Sequence, residues 1–347
     1  MRHLLWPLAL LYSIVSRIRN FAYDKKLFKS DSIKTPILSV GNITAGGTGK
    51  TPIIAEIIEW CMKENIKVGV ISRGYKGNYS GVVKVNGADL EKGPEFYGDE
   101  PYMLALRYPN VPIYLCPQRV RAAQALETHE QVDFIVADDA FQHRQLQRSY
   151  DLVVLDMMEP LENYLPLPVG RARESLSSLH RAQFVVLNKV NLGTAENLVS
   201  MVKLLNQSWS DRGNIPNPRI VESKYGLLRI LKPDFPEVIW MKSSEPVMLL
   251  SGIGNPKSFE KMMQQEGISF SHHFILPDHA EYSLQTVKNI LESQRSCGAK
   301  QILTTEKDFV KLRQYPDLAS PLWVAKLGVQ FSESAEGMYA ILRRDLR

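Results

Sequence analysis

The sequence predicts an α/β protein with a parallel sheet and helices on both faces, and three features lead to this prediction. A glycine-rich segment, SVGNITAGGTGKTP (39–52), lies between a run of strand type and a run with apolar residues at helical spacing. Short, continuously apolar runs recur along the chain, most of them separated by enough residues for a crossover helix. Polar residues follow several of these runs directly. Buried parallel strands have this continuous apolar character, and ligand groups gather where such strands end.

The runs predicted to be strands form two series. The first series lies before residue 190 and comprises TPILSV (35–40), KVGVISRGY (67–75), VPIYLCP (111–117), VDFIVADD (132–139), YDLVVLD (150–156) and AQFVVLNK (182–189). The second series comprises PVMLLSGIGNP (246–256), ISFSHHFILPDH (268–279), KQILTTEKD (300–308) and PLWVAKLGV (321–329).

Between the two series the pattern loosens, with Asn, Ser, Gly and Pro in NQSWSDRGNIPNPR (206–219). A chain of 347 residues is long enough for about two domains. We therefore predict a first α/β domain at residues 30–210, a linker at 211–235 and a second, smaller α/β domain at 236–347.

The first 29 residues differ from the rest of the chain. LLWPLALLYSIVS (4–16) carries no charge and is followed by five basic residues within the next thirteen positions. The run is too short to span a bilayer, which needs about twenty apolar residues. A cleaved signal peptide would need an A-x-A-like site, and none follows. A buried helix and a membrane-surface helix stay open; Trp6, Tyr12 and the basic flank favour the surface helix for residues 1–29.

Charge and cysteine content narrow the function classes. The net charge of +5 comes without a block of like charge, which does not favour nucleic-acid binding and suits an anionic membrane or substrate equally well. Cys61, Cys116 and Cys297 are far apart and odd in number. They indicate a reducing compartment rather than a disulfide framework or a zinc site.

The glycine-rich segment matches most of a phosphate-binding loop, G-x-x-x-x-G-K-[ST]. Gly49, Lys50 and Thr51 fit the end of that pattern, whereas Thr44 occupies the position of the first glycine. The flanking strand and helix favour phosphate binding over a plain strand-to-helix turn. We expect Lys50 to reach the β- and γ-phosphates of ATP or GTP and the Thr51 hydroxyl to ligate Mg²⁺. The predicted cradle consists of Thr44, Ala45, Gly46, Gly47, Thr48, Gly49, Lys50 and Thr51.

Paired acids end the strand run FIVADDAFQH (134–143). Asp138 and Asp139 stand where a carboxylate of the Walker B type holds Mg²⁺, directly or through water. Solvated turn acids or a helix cap would give the same pattern.

Two further stretches carry groups able to move a proton. GDEPYMLA (98–105) places Asp99 and Glu100 before a proline, a pattern that also suits an ordinary helix start. In LPDHAEYS (276–283), Asp278 stands beside His279, which could be a structural histidine or part of a catalytic base.

Taken together, these stretches resemble the tetraacyldisaccharide 4′-kinases, the lipid A 4′-kinases of Gram-negative bacteria. The resemblance includes the apolar N-terminal segment and, in order, VGNITAGGTGKTP, VISRGY, GDEP, PQRVRAA, DDAFQH, LPVGRARE, SGIGNP, PDH and TEKD. The phosphate loop of that family reads T-x-G-G-x-G-K-T, so the family also has a non-glycine residue where this chain has Thr44.

The resemblance implies a reaction and a place for it. The γ-phosphoryl group of ATP would pass to the 4′-hydroxyl of a tetraacyl disaccharide 1-phosphate, giving lipid IV-A at the cytoplasmic face of the inner membrane. A peripheral enzyme with a membrane-surface helix suits this acylated substrate, and no protein partner is implied.

The resemblance also assigns roles to single residues. Asp99 would be the base for the sugar hydroxyl, with His279 as its partner. Arg119 would position the reactants or stabilise charge, and Asp138 and Asp139 would serve the metal. Glu100, Gln142 and His143 would contact nucleotide or lipid headgroup, while the role of Arg171 or Arg173 is left open.

Three other functions are compatible with parts of the sequence. A P-loop GTPase would use LNKV (187–190) to read guanine, but Asn191 stands where the acidic residue of N-K-x-D is needed. A soluble small-molecule kinase would bury its N-terminal helix. An ATP-dependent chaperone would have no phosphoryl acceptor and no need for Asp99.

Overall fold

The computed structural model describes residues 5–209, 217–233, 235–239 and 246–346, and these form a mixed α/β structure around one thirteen-stranded sheet. The strands are β1 Ile37–Gly41, β2 Val68–Ser72, β3 Val83–Lys84, β4 Ile113–Leu115, β5 Phe134–Asp138, β6 Tyr150–Asp156, β7 Phe184–Asn188, β8 Arg219–Lys232, β9 Phe235–Ile239, β10 Val247–Ser251, β11 Phe270–Ile275, β12 Ile302–Thr305 and β13 Leu322–Phe331. The helices are α1 Trp6–Asp24, α2 Lys50–Lys63, α3 Gly93–Tyr97, α4 Asp99–Arg107, α5 Arg119–His129, α6 Ala195–Trp209, α7 Pro256–Gln265, α8 Leu284–Ser296, α9 Glu306–Leu312, α10 Pro316–Ala319 and α11 Glu336–Asp345.

Every run that the sequence predicts to be a strand contains one, so the predicted α/β class with a mainly parallel sheet is confirmed. Three strands were not predicted, namely β3, β8 and β9. Of these, β8 matters most for the site because it joins the two series of strands.

The sheet consists of two parallel blocks. The first block has the order β4-β2-β5-β1-β6-β7, and the second has the order β13-β12-β10-β11. Strand β8 continues the first block in parallel, with Ser223 beside Asn188 of β7. Farther along, β8 pairs with β13 in antiparallel fashion, with Ser223 beside Phe331 and Leu231 beside Val324. Strands β7 and β13 therefore run towards Ser223 from opposite directions, and the carboxyl ends of the two blocks face each other.

The predicted linker at 211–235 contains β8, so residues 219–232 are part of the sheet and not an irregular connection. Residues 211–216 and 234 lie outside the described residues. The strand was missed because only Val221, Ser223 and Ile230 are buried along it, which leaves an interrupted apolar pattern. The division into two domains stays a prediction, and the sheet itself is continuous through the segment between them.

Helices cover both faces of the first block. In β5, Phe134 and Val136 belong to the apolar cluster that includes α2, whereas Ile135 and Ala137 belong to the cluster that includes α5. This alternation explains the continuously apolar strand sequence, since both faces are buried. Fully burying a side chain such as Ile57 contributes about 1.5–3 kcal/mol. The packing of α2 and α5 thus fixes the strand ends from which the site is built.

Helix α1 leaves most of its apolar side chains in solvent. Only Ala9 and Ala22 of this helix are buried, which excludes the alternative of a core helix for the described residues. Its C-terminal end is attached to the body: Asn20 Nδ2 donates to Glu174 Oε2 over 2.7 Å, and Arg144 Nη2 lies 2.7 Å from Asp24 Oδ1. Among the described residues, none of the helices combines the length and the apolar character needed to cross a membrane. The exposed large apolar residues of α1 are Trp6, Leu8, Leu10, Leu11, Tyr12, Ile14, Val15, Ile18 and Phe21.

Candidate active site

A cavity of 660 Å³ lies where the carboxyl ends of the two blocks meet. It is lined from both sides of the junction, which is the position at which open α/β sheets bind their ligands. Its walls include the predicted site residues Ala45, Gly46, Gly47, Thr48, Gly49, Lys50, Thr51, Asp99, Glu100, Arg119, Asp138, Asp139, Gln142, His143 and His279. Thr44 alone of the predicted residues is absent from the wall, because it is buried in a bridge to Ala172.

The glycine-rich loop predicted to bind phosphate lies between β1 and α2, as the sequence predicts. Gly49 precedes α2 with φ of +82°, a left-handed conformation that favours glycine. A Cβ atom at Gly49 would lie 2.5 Å from the side-chain nitrogen of Asn188, which itself donates to the Thr48 carbonyl over 3.0 Å. Among the described residues, no side chain caps the N-terminus of α2. An uncapped helix N-terminus can bind an anion through its backbone N–H groups. The end of β7 contacts the loop through Asn188.

Asp139 is an anion surrounded by cations. Lys50 Nζ lies 3.5 Å and Arg173 Nη2 lies 3.1 Å from Asp139 Oδ1. Burial alone would raise the pKa of Asp139, but Lys50, Arg173 and Arg119 outweigh it and hold that pKa far below its usual range. The carboxylate therefore stays ionised and holds the Lys50 ammonium beside the phosphate loop.

Asp138 has the opposite environment. Its Oδ2 accepts a hydrogen bond from Ser72 Oγ over 2.8 Å, whereas its Oδ1 is buried without a partner among the described residues. Burial, with a contribution from Glu100, raises the pKa of Asp138 to about 6. A cation beside this carboxylate would supply the missing partner and stabilise its charged form.

The surroundings of Asp138 are compatible with Mg²⁺. Asp138, whose Oδ1 has no partner among the described residues, and Thr51 line the same cavity as the glycine-rich loop. Within the described part of the chain, no three His, Cys, Asp or Glu side chains form a ready-made metal cluster. Mg²⁺ is usually held by one or two carboxylates together with water and substrate phosphates, so such a cluster is not required.

The two blocks meet in a hydrogen bond between Asp99 and His279. Asp99 is the first residue of α4. Its Oδ2 atom lies 2.9 Å from Nδ1 of His279 and 2.7 Å from Nζ of Lys311. Burial would raise the pKa of Asp99, but the hydrogen bonds from His279 and Lys311 prevail and lower it. The result is a buried carboxylate that stays charged at neutral pH at the wall of the cavity.

His279 is held from its other side as well. Lys307 Nζ lies 3.4 Å from His279 Nε2 and 2.8 Å from Asp278 Oδ1, and the ring of Tyr75 packs edge-on at 5.6 Å between centroids. The backbone of His279 has φ of +61°, in the left-handed region. Such a conformation is costly for a non-glycine residue and is held in place by the contacts of the side chain.

The other predicted residues occupy the first block. Arg119, the first residue of α5, is buried, and this burial lowers its pKa although Asp138 and Asp139 oppose the effect. Gln142 Nε2 donates to the Asn42 carbonyl over 2.9 Å and so supports the phosphate loop. Nε2 of His143 is buried without a partner among the described residues, and burial together with Arg119 lowers the pKa of His143 to about 4.

Sequence reasoning missed several residues that build the site. Lys307 and Lys311 carried a detectable signal, since they stand four residues apart and share one face of a helix that begins in the TEKD segment. Asp308 of the same segment accepts from the Gly252 backbone N–H over 3.0 Å and from the Tyr282 hydroxyl over 2.9 Å. Its carboxylate thereby ties together the loops that follow β10, β11 and β12. No local pattern points to this role.

Known proteins are similar to this chain over its whole length. The family model described as LpxK, tetraacyldisaccharide-1-P 4′-kinase, matches residues 1–347. A tetraacyldisaccharide 4′-kinase of Bdellovibrio bacteriovorus is 34% identical over 350 residues, covering 100% of both chains. A protein of the same name from Shewanella halifaxensis is 34% identical over 341 residues, covering 96% of this chain and 92% of its own. A crystal structure of LpxK from Aquifex aeolicus in complex with ATP has a TM-score of 0.78 at 26% identity, covering 100% of this chain and 99% of its own.

The environment of His143 predicts its titration. Because the pKa of His143 is lowered to about 4, we expect its imidazole to stay neutral at every pH above about 5. An unfolded histidine binds its proton near pH 6.5, so the contribution of this group to stability is complete above that value. The contribution falls as the pH drops from about 6.5 towards 4.

A proton NMR titration of the histidine ring signals, with a His143→Gln variant to assign the resonance, measures this directly. A midpoint near 6.5 for the assigned signal would contradict the burial and the neighbouring arginine charge described above.

Proposed function

The chain belongs to the tetraacyldisaccharide-1-P 4′-kinase family, and we infer from this membership that it transfers the γ-phosphoryl group of ATP to the 4′-hydroxyl of a tetraacyl disaccharide 1-phosphate. The product carries a second phosphate and is lipid IV-A of lipid A biosynthesis. The observation that supports this function best is the cavity itself, because the N-terminus of α2 with Lys50 and the hydrogen-bonded Asp99–His279 pair line the same space.

We assign the donor phosphates to the loop of residues 44–51. Backbone N–H groups at the start of α2 and the Lys50 ammonium would hold the phosphates, and the fixed distance between Lys50 and Asp139 supports this assignment. Thr44 would support the conformation of the loop, since it is buried and forms a β-bridge to Ala172. Arg119 and Arg173 would stabilise negative charge as the phosphoryl group moves.

Asp99 would accept the proton of the sugar hydroxyl. A neutral hydroxyl is a poor nucleophile, and a carboxylate in hydrogen-bond reach can take its proton as the new P–O bond forms. His279 would orient this carboxylate through the bond from Nδ1. The lowered pKa supports the assignment, because only the ionised form of Asp99 can act as a base.

The remaining predicted residues would act around these groups. Glu100 lies 4.0 Å from Lys307 and would contact the acceptor or its bound water. Gln142 would keep the phosphate loop in shape through its bond to Asn42. The neutral side chain of His143 would contact the nucleotide or the lipid headgroup without adding a charge.

Mg²⁺ would be held by Thr51 and Asp138, with Asp139 in support. The buried, unpartnered oxygen of Asp138 carries this proposal. When bound, the ion would neutralise charge on the donor phosphates. Transfer that persists in excess EDTA would contradict the assignment.

We place the enzyme at the cytoplasmic face of the inner membrane, with α1 lying in the interface. The support is the row of exposed apolar side chains on α1 together with the basic residues at and beyond its end, including Lys25, Lys26 and Lys29. The attachment of Asn20 and Asp24 to the body would keep the cavity close to the lipid surface.

The proposed function predicts acceptor labelling that depends on Asp99. With γ-labelled ATP and a tetraacyl disaccharide 1-phosphate in detergent micelles, the wild type should label the lipid. Asp99→Ala should lower the transfer rate by about 10²- to 10⁴-fold while ATP binding is retained, because it removes only the base. Asp317→Ala, an exposed residue in the first turn of α10, serves as the matched control.

A labelled lipid whose formation is insensitive to Asp99→Ala would disprove the assignment of the base. If ATP is hydrolysed but the lipid stays unlabelled, the assignment of ATP binding survives. The assignment of the lipid as phosphoryl acceptor would then be wrong. The same assay excludes an ATP-dependent chaperone without an acceptor, for which Asp99→Ala should have no effect.

The membrane proposal is tested by removing apolar side chains from α1. The triple variant Leu11→Ser, Val15→Ser and Ile18→Ser changes only exposed positions, so the fold should be unaffected. Its partitioning onto vesicles with anionic lipids should fall by about tenfold or more, because apolar burial drives interfacial binding. Val199→Ser, exposed on α6, is the control, and equal sedimentation of both proteins with vesicles would refute the role of α1.

A further inference from the structure

Helix α9 belongs to the second block and contacts Asp99, the proposed base, through Lys311. Its seven residues place Lys307 and Lys311 one turn apart on the same side. The Lys307 ammonium contacts Asp278, next to His279, and the Lys311 ammonium contacts Asp99. Lys311 Nζ lies 2.7 Å from Asp99 Oδ2 and donates a further hydrogen bond to the Ala280 carbonyl over 3.1 Å. Its side chain is largely buried, so this contact is shielded from solvent.

The two oxygens of Asp99 have different surroundings. Oδ2 lies within hydrogen-bond distance of both Nδ1 of His279 and the ammonium of Lys311. Asp99 lines the cavity, and both of these contacts are made through Oδ2 and leave Oδ1 out. One oxygen is thus occupied by the protein, and the other is left for a proton from the acceptor.

From these contacts we propose that Lys311 is a positioning residue for the phosphoryl transfer: it keeps Asp99 ionised and fixes Oδ2, so that Oδ1 receives the proton of the sugar hydroxyl. This inference rests on the proposed function and assigns a role to a residue outside every motif of the sequence. Lys311 touches neither reactant and acts through Asp99.

The charges around Asp99 explain why a cation is needed. Glu100 stands beside it on α4, and Asp278, His279 and Tyr282 face it from the loop after β11. Lys307 and Lys311 face it from α9. Burial favours a protonated Asp99, which could not act as a base. The hydrogen bond from His279 and the ammonium of Lys311, 2.7 Å from Oδ2, together reverse that preference.

Lys307 makes a separate contact in the same arrangement. Its ammonium lies 3.4 Å from Nε2 of His279, while Nδ1 of the same ring faces Asp99. Lys307 thus contacts His279 from the side opposite to Asp99, whereas Lys311 acts on the carboxylate directly.

The test is the pH dependence of kcat/KM for transfer to the lipid acceptor at saturating ATP, in wild type and in Lys311→Met. Removing the ammonium raises the pKa of Asp99, so the loss of activity on acidification should begin at a higher pH, displaced by about one pH unit or more. At pH 7 the variant should be slower by only about threefold to tenfold, because Asp99 remains ionised there and loses only its fixed position, and the deficit should widen as the pH falls.

Two further variants make the test specific. Lys311→Arg keeps a cation at the site and should restore the acid limb of the profile, while Lys288→Met, an exposed lysine of α8, should match the wild type. ATP affinity and the thermal midpoint of Lys311→Met show that the variant folds and binds the donor. A rate loss that is uniform across pH, or no loss at all, would overturn the proposal. If the wild type itself fails to label the lipid, the proposed function fails instead, independently of Lys311.

Discussion

The whole site depends on the way β8 pairs with its two neighbours. A strand that continues one parallel block and lies antiparallel to the next turns the carboxyl ends of both blocks towards a single space. Since parallel strands collect functional loops at their carboxyl ends, the loops of two blocks meet across one cavity. The phosphate loop comes from the first block and His279 from the second, although the bonded Asp99 and His279 are 180 residues apart in sequence. A phosphoryl donor and a proton acceptor can in this way be held by rigid elements on opposite walls.

The site also follows a rule of charge compensation. A carboxylate withdrawn from water is costly unless it is paired, and Asp99, Asp138 and Asp139 at the cavity differ in how they are paired. Asp139 is paired with Lys50 and Arg173, and Asp99 with His279 and Lys311. Asp138 keeps one oxygen unpartnered among the described residues, with its pKa raised to about 6. The two paired acids remain charged through their cationic partners, whereas Asp138 is the carboxylate to which we assign the metal ion.

Much of this could be predicted from the sequence, and the limits have physical causes. Apolar runs and turn residues report local structure, so the strands of both series, the start of α2 and the acids at the end of β5 were accessible from the chain alone. Strand β8 was not, because it is only partly buried and its pairing is set by distant partners. The pairing of Asp99 with His279 was expected only through resemblance to a family, since no spacing rule links them. Lys311 and Asp308 were missed because their roles arise from tertiary contacts of one short helix.

The central claim is that Asp99 of one block and His279 of the other act as a single base, and a double-mutant cycle tests it most directly. The quantity to measure is kcat/KM for lipid phosphorylation in Asp99→Asn, His279→Gln and the double variant, with ATP affinity measured alongside. Residues that act as a unit give strongly non-additive losses, so the double variant should be about as slow as the slower single variant. If the two losses multiply, Asp99 and His279 contribute independently, and the account of a base assembled across the junction of the sheet is wrong.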